Sequence, residues 1–357
     1  MALEDGAGDV EDLLEAYSDL AAIGTIGDIV PLTGENRTLI RAGLERLSQS
    51  DRPGVQALLE NAGIAGKALT STNVAFTLVP RINATGRMGA PERAVRLLIS
   101  GYEEEAEVLS EEICADNEER RRVEAEIAEA AFADIEAKGY MKDRVVVVDG
   151  ENWHHGVIGI VASRFARDYN RPAIVLTIQG DEAHGSGRSI PGVNLIKILA
   201  KCSHLLTRYG GHPMAVGLGL HKSKIKEFQK EFEEHVRNEI SPSDIVDSIS
   251  YDGIVDLAEL QDDFFALYPK LGPFGHGNPQ PTYRINHLEI VRTFPIKAGH
   301  TKGIVRDING DTSDFIAFNM VIDPRTTWDV VALPHINEYY GEKRRQLQII
   351  DAKPSIV

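Results

Sequence analysis

Residues 208–217 read Arg-Tyr-Gly-Gly-His-Pro-Met-Ala-Val-Gly. Gly210 and Gly211 remove two Cβ atoms where the backbone meets His212. Paired glycines allow φ > 0 and close approach of another backbone or a phosphate. His212 is then a donor held at a bend, and Pro213 stiffens the exit. Ala215, Gly217 and Gly219 leave little bulk on the segment that follows. Such a loop suits a polyanion or a reacting phosphoryl group. The same residues also describe a tight turn with a buried, hydrogen-bonded histidine.

Other positions could do related chemistry. Ser186, Arg188 and Ser189 sit among Gly180, Gly185, Gly187 and Gly192. Small neighbours open space for a phosphate and Arg188 supplies charge; the alternative is a bulge with an exposed arginine. Arg81, Asn83 and Arg87 fall just before a long helical stretch, placed either for capping or for phosphate contact. The planar guanidinium binds phosphate bidentately. Trp153-His154-His155-Gly156 precedes a helix whose N-terminal N–H groups could meet an anion. Adjacent histidines rarely share one ion without further ligands, and none is near, so a phosphate or structural contact is expected. Asp28, in a Gly-Asp-Ile segment after a helix, reads as an N-cap or turn aspartate. Lys343, Arg344 and Arg345 form the clearest basic cluster near the C-terminus, as a surface turn or a phosphate contact.

The elements that must position these residues follow from periodicity. Residues 11–24 predict a helix, broken by the segment Gly24 to Leu32. Thr38 to Ser48 and Pro53 to Ala62 predict two more. No strand precedes residue 70 to form the sheet these helices would cover, so the chain is expected to open in mid-domain. Residues 91–138 predict one long helix with a break near Ser100-Gly101. From Glu103 to Ala137 there is neither Pro nor Gly. Thirty-six residues at ~1.5 Å each reach roughly 54 Å, a length suited to bridging domains. Residues 144–236 alternate strand and helix, beginning with the continuous buried run Val145 to Val148 and indicating a small α/β domain. Short strands at 251–255, 282–292, 301–306, 313–318, 328–333 and 346–350 then predict a small β-barrel of the OB type. Phe294, Phe315, Phe318, Trp328, Tyr339 and Tyr340 are its candidates for base stacking, against a core role. Pro273 to Pro279 is a rigid loop expected to act as an interdomain joint.

The totals narrow the classes. A chain of 357 residues with 43% hydrophobic content supports two or three cores. No run approaches the roughly 20 apolar residues a membrane span needs. Cys114 and Cys202 are the only cysteines, which excludes a disulfide framework and makes the cytoplasm the expected compartment. The net charge of −16 weighs against nucleic acid less than it first does. Glu103 to Lys138 alone holds 14 acidic and 4 basic side chains, a net of −10. The glycine-rich segments carry Arg81, Arg87, Arg188 and Arg208 instead, and partners respond to local potential.

Four segments in order resemble the RecJ family of single-stranded-DNA exonucleases, within the DHH phosphoesterase superfamily. They are Gly24 to Leu32, Pro80 to Arg87, Trp153 to Ala162, and Ser186-Gly187-Arg188-Ser189 followed by Gly210-Gly211-His212. The resemblance implies four parts. Residues 1–90 would be the C-terminal remnant of a DHH catalytic domain, 91–139 a long connecting helix, 140–240 a DHH-associated α/β domain, and 241–357 an OB-fold nucleic-acid-binding domain. It implies hydrolysis of single-stranded DNA from the 5′ end in repair and recombination, with two Mn²⁺ or Mg²⁺ ions. His212 and Asp28 would be catalytic, with Asp28 also a metal ligand. Arg81, Asn83, Arg87, Ser186, Arg188, Ser189, Gly210, Gly211 and His212 would bind phosphate. A single-strand-binding protein, a recombination helicase and a separate catalytic half are the protein partners it brings into view. The Asp-His-His motif of the family has no counterpart here, and of the family's metal positions only Asp28 matches. The chain is therefore expected to bind metal weakly or not at all and to lack robust hydrolysis alone. Two other readings stand beside this one: a non-catalytic DNA-binding subunit of a split nuclease, and a DHH phosphoesterase acting on short oligonucleotides. Aminoacyl-tRNA editing domains share the Gly-Gly-His loop but not the other three segments.

Overall fold

The structure is a computed structural model that describes residues 10–138, 144–241, 248–297, 299–339 and 342–355. In chain order the helices α1 (Val10–Gly27), α2 (Gly34–Ser48) and α3 (Pro53–Asn61) come first. A short α4 (Ser71–Asn73) runs through a π-helical turn (Val74–Leu78) into α5 (Val79–Arg87), followed by α6 (Glu92–Ile99) and α7 (Glu103–Lys138). Next are β1 (Val146–Glu151), α8 (His155–Asp168), β2 (Ala173–Gln179), β3 (Glu182–Arg188), α9 (Leu195–Lys201), β4 (Arg208–His212), β5 (Ala215–His221) and α10 (Ile225–Glu239). The chain ends with β6 (Gly253–Ile254), α11 (Asp262–Leu267), β7 (Tyr283–Phe294), β8 (Thr301–Arg306), β9 (Thr312–Ala317), β10 (Trp328–Tyr339) and β11 (Glu342–Pro354). These elements form two compact units with interleaved sequence: residues 1–50, 66–77 and 248–357 make one, residues 51–65 and 78–247 the other.

The second unit is built on a five-stranded sheet of order β1-β2-β3-β5-β4, in which only β1 and β2 are parallel. Val145 and Val147 face one side, Val146 and Val148 the other, and both sides are dry. That explains a strand without alternation. On the first side α9 and α10 bury Leu195, Ile198, Phe228 and Phe232 against β2, β3 and β5. On the second side α7 and α8 bury Ile127, Ile135, Val161 and Phe165 against β1 and β2. The long helix α7 lies wholly within this unit and also packs on α3, α5 and α6. It separates from α6 at Ser100–Tyr102, close to the expected break; the Ser100 hydroxyl donates to Glu105 there.

The first unit contains α1, α2 and the barrel. In the barrel β7, β8, β9, β11 and β10 follow one another, and a β10–β7 pairing closes the ring, with β6 beside β7. Closure removes the free edges of the sheet, and the fold is the OB type expected. Leu288, Val305, Phe315, Val330 and Leu347 fill the interior. Phe315 is thus a core residue, whereas Phe318 is exposed. Tyr340 lies outside the described residues, as do the side chains of Tyr339 and Lys343. The Pro273–Pro279 loop binds the segment after α1: the Leu32 N–H donates to the His276 carbonyl at 2.7 Å. Arg37 and Arg41 of α2 donate to the carbonyls of Leu271 and Gly272 at 2.7 and 2.9 Å.

Local readings that treated glycine as a break need correction. The α1 helix continues through Gly24 to Gly27. Pro80 to Arg87 is helical, with Pro80 placed just after the π-helical turn that leads into α5. Arg208 to His212 is an edge strand, so Arg81, Arg87, Arg188 and Arg208 all sit on regular elements.

Candidate nucleic-acid interface

Strand pairing sets the geometry. In β3, Gly185 and Gly187 point into the α9–α10 core, where added Cβ atoms would meet Leu176, Leu218 and Val216 at 2.6–2.7 Å. His184, Ser186 and Arg188 therefore point to the other face. Register then aligns three rows across β3, β5 and β4: Arg188–Ala215–His212, Ser186–Gly217–Gly210 and His184–Gly219–Arg208. Directly opposed residues share a face, so His212 and Arg188 stand on one surface, two strand spacings or about 10 Å apart. Helix α8 covers β2 and β3 on this face. Beyond it the sheet is nearly bare: Cβ atoms added at Gly210 or Gly217 would meet nothing within 4 Å. The result is a cleft of about 410 Å³ bounded by His155, Arg208, Tyr209, Gly210 and Gly217.

The two glycines of the Gly-Gly-His motif have separate duties. Gly211 has φ +139, and a Cβ there would lie 2.3 Å from the Ala215 carbonyl oxygen. It permits the tight approach of β4 to β5. Gly210 is conformationally ordinary and leaves the floor open. His212 ends β4 as an exposed side chain, not a buried turn residue. The following Pro213-Met214 turn is tied down, since the Leu195 N–H donates to Pro213 and the Ser189 N–H to Met214, both at 2.9 Å.

Cations gather where α5, α8 and β3 meet. The Arg188 guanidinium donates to Ser186 Oγ at 3.0 Å and to the Gly187 carbonyl at 2.8 Å. Arg87, at the end of α5, donates to the Gly156 carbonyl at 3.2 Å. None of these acceptors is anionic. Partial burial holds Arg188 below its ordinary pKa, and the nearby Arg87 charge adds to that. Desolvation lowers Arg87 too, with Arg120 adding repulsion and Glu124 opposing it. Gly159 makes the gathering possible: a Cβ there would stand 3.0 Å from Ser186 Oγ and 3.2 Å from Arg188 Nη2. Gly156 lets α5 touch the start of α8, since its Cβ would lie 2.4 Å from the Arg87 carbonyl oxygen. The half-buried Arg188 and the exposed Arg87 thus stand beside a helix N-terminus, an arrangement whose chemistry suits an anion.

The remaining expected residues divide. Asn83 and Arg87 are four residues apart on α5 and share a face; Arg81 projects from a different side of the helix. Ser189 is buried and its hydroxyl donates to the Val193 carbonyl at 2.8 Å, so it braces the loop. His154 caps α8, accepting from the Gly156 N–H at 3.2 Å. Arg345 donates to Gln261 in a barrel groove that Arg344 and Asp314 also line. Gly159 and His184 were not singled out from sequence. Only the Gly156–Gly159 spacing inside a helix hinted at close approach, and the cross-strand contacts are invisible without register. Arg208 reaches over Gly219 to His184 Nδ1 at 3.1 Å.

Asp28 belongs to the other unit. It lies in the turn that closes α1, its N–H donating to the Gly24 carbonyl at 2.9 Å, and its side chain is exposed. It is a C-terminal turn residue, not an N-cap. A carboxylate there faces the negative end of the helix dipole. Ile29 follows at φ 55, a left-handed conformation that a β-branched residue rarely adopts. Strain of this kind concentrates at functional sites.

Residues 142–238 match the DHHA1 domain and residues 251–351 the RecJ OB domain. The chain is 36% identical over 354 residues to the single-stranded-DNA-specific exonuclease RecJ of Bacillus subtilis (strain 168), covering 96% of this chain and 45% of that protein. It is 34% identical over 347 residues to that of Escherichia coli (strain K12), covering 93% and 60%. The crystal structure of RecJ in complex with Mn²⁺ from Thermus thermophilus superposes with a TM-score of 0.81 at 28% identity, over 100% of this chain and 52% of that one. The chain belongs to the RecJ family. It spans about half the length of the curated RecJ proteins it matches. The Thermus RecJ has also been solved with Mg²⁺, with a TM-score of 0.83 at 29% identity over 99% and 54%. The described residues of this RecJ-family chain do not fit such a pair of ions. Hard divalent cations take six or more oxygens, and Asp28 belongs to no cluster of three His, Cys or carboxylate side chains. No helix among the described residues is long and apolar enough to cross a membrane.

Proposed function

We propose that this chain is the strand-holding part of a metal-dependent 5′→3′ single-stranded-DNA exonuclease of the RecJ type. Its α/β unit would hold the 5′-terminal phosphate, and its barrel would bind the strand. The observation that supports this reading is the Arg87–Ser186–Arg188 cluster against α8, where two neighbouring cations donate to neutral acceptors and only Glu124 offsets the charge of Arg87. A phosphate there would relieve the repulsion and accept two guanidinium forks. His212, on the same face, would donate to the next phosphate across the glycine floor. Asp28 would supply one oxygen to a divalent ion whose other ligands are not found among the described residues, so binding without appreciable hydrolysis is expected.

The test compares 5′-phosphorylated and 5′-hydroxyl oligonucleotides in binding and in Mn²⁺-dependent degradation. Preference for the phosphorylated strand, lost in Arg188→Ala, is the expected result. Equal binding of both ends would remove the end-recognition claim. Robust turnover abolished by Asp28→Ala would overturn the claim that this chain alone does not cut. The isolation of Asp28 also favours a second reading, a DNA-binding subunit that meets a separate catalytic half. Activity restored by adding a protein bearing the aspartate-rich motif would select it.

A further inference from the structure

On the sheet face opposite the glycine floor, three metal-capable side chains converge outside any role assigned above, with His204 beside one of them. Cys202 closes α9 and opens the short turn Ser203–Leu205, which carries His204. Glu231 and His235 stand one turn apart on α10. The ligand atoms of Cys202, Glu231 and His235 all lie within 4.8 Å of one another. His204 Nε2 is 3.2 Å from Glu231 Oε2, and His235 Nε2 is 3.5 Å from Glu231 Oε1. Cys202 is wholly buried, whereas the His204 side chain is 60% exposed, giving an ion a route in. We infer that Cys202, His204, Glu231 and His235 form a structural site for a borderline-soft divalent ion, Zn²⁺ by class.

The ligand types decide the class. A thiolate with two imidazoles and one carboxylate completes a four-coordinate zinc shell. The hard ions Mn²⁺ and Mg²⁺ prefer oxygen and gain little from sulfur. Local packing holds the donors in place. Phe228, Phe232 and Val236 of α10 anchor one helix face in the core, which leaves Glu231 and His235 on the flank toward Cys202. The buried Cys202 thiol faces the Glu231 carboxylate. Nearby, Lys201 pairs with Glu239 and Lys224 with Glu227, so these lysines are largely compensated. Metal binding would release the Cys202 proton to solvent, so affinity falls as pH falls. The ion would pin the α9 turn to α10, on the sheet face opposite Arg188.

The test uses the full chain, stripped with chelator and desalted, then titrated with Co²⁺ and Zn²⁺. One Co²⁺ per chain is expected, with a thiolate-to-cobalt charge-transfer band in the near ultraviolet, displaced by Zn²⁺ but not by Mn²⁺. Saturating Zn²⁺ should raise Tm by about 3 °C or more. Cys202→Ser should abolish the band. Because Cys202 is buried, the exposed His204→Ala is the paired variant: it should fold normally and bind Zn²⁺ about tenfold or more weakly. Cobalt uptake without the charge-transfer band, affinity unchanged by His204→Ala, or no uptake at micromolar cobalt would each overturn the assignment. Binding of 5′-phosphorylated DNA should be unaffected by either variant.

Discussion

The arginine cluster and Asp28 represent two ways of placing a charged side chain. Arg87 and Arg188 are fixed by packing: glycines at 156 and 159 admit them, and hydrogen bonds to Gly156, Ser186 and Gly187 orient them. Everything that builds this receptor lies within one compact unit. Asp28 is fixed only through its backbone, with an exposed carboxylate at a helix end that disfavours it. The first arrangement is assembled from neighbouring elements of one unit. The second stands outside any cluster of metal-capable side chains among the described residues. A charged residue that costs stability where it stands, beside a strained Ile29, points to function as clearly as an assembled site does.

The largest expected effect tests the self-sufficiency of the arginine cluster. Arg188→Ala should remove about 1.5–3 kcal/mol of binding to a 5′-phosphorylated strand, roughly 10–100-fold in Kd. It should also reduce the salt slope by about 0.7, while Asp28→Ala leaves Kd within about twofold. Equal losses from both variants, measured by fluorescence anisotropy, would erase the contrast. Next come the two glycines of the motif. Gly211→Ala should destabilise the unit by about 1–3 kcal/mol through backbone strain and the clash with Ala215. Gly210→Ala should stay within about 0.5 kcal/mol in urea unfolding yet weaken DNA binding. Asp28→Asn should raise stability by about 0.3–1 kcal/mol by relieving the dipole; a loss instead would mean that the carboxylate already has a partner.

The smallest expected effect is a pH dependence confined to the barrel unit. Burial holds the His335 pKa below its ordinary 6.5. The folded state therefore takes up this proton less readily than the unfolded chain. Stability is fully present above about pH 6.5 and falls as pH drops through the folded value. Trp328 reports the barrel and Trp153 the α/β unit, so single-tryptophan variants can separate the two. Acid should shift the urea midpoint read by Trp328, and His335→Gln should flatten that shift. An equal shift at Trp153 would count against this assignment.

Much of this architecture was legible because it rests on local pattern. The Val145 to Val148 run, the helix after His155 and the spacing of barrel strands each declare themselves within ten or so residues. What failed was punctuation. Gly24 was expected to break the first helix, but Gly24 and Gly27 fall inside α1. The candidate site was legible in its charged members, since an arginine among glycines advertises space for an anion. The pairing that completes its floor was not legible. Gly217 lies opposite Ser186 only through register, which joins residues thirty-one positions apart. Ser189 shows the converse limit: its residue type fits phosphate binding, but its hydroxyl is spent on the Val193 carbonyl.

The bare floor has a consequence for what a bound strand could reveal of itself. Gly210 and Gly217 present no side-chain donor or acceptor to a base edge, and reading a base requires such groups. A strand lying there would be measured by its width and its backbone charge alone. Such a surface is indifferent to the letters it passes, and it would advance through any message at the same pace.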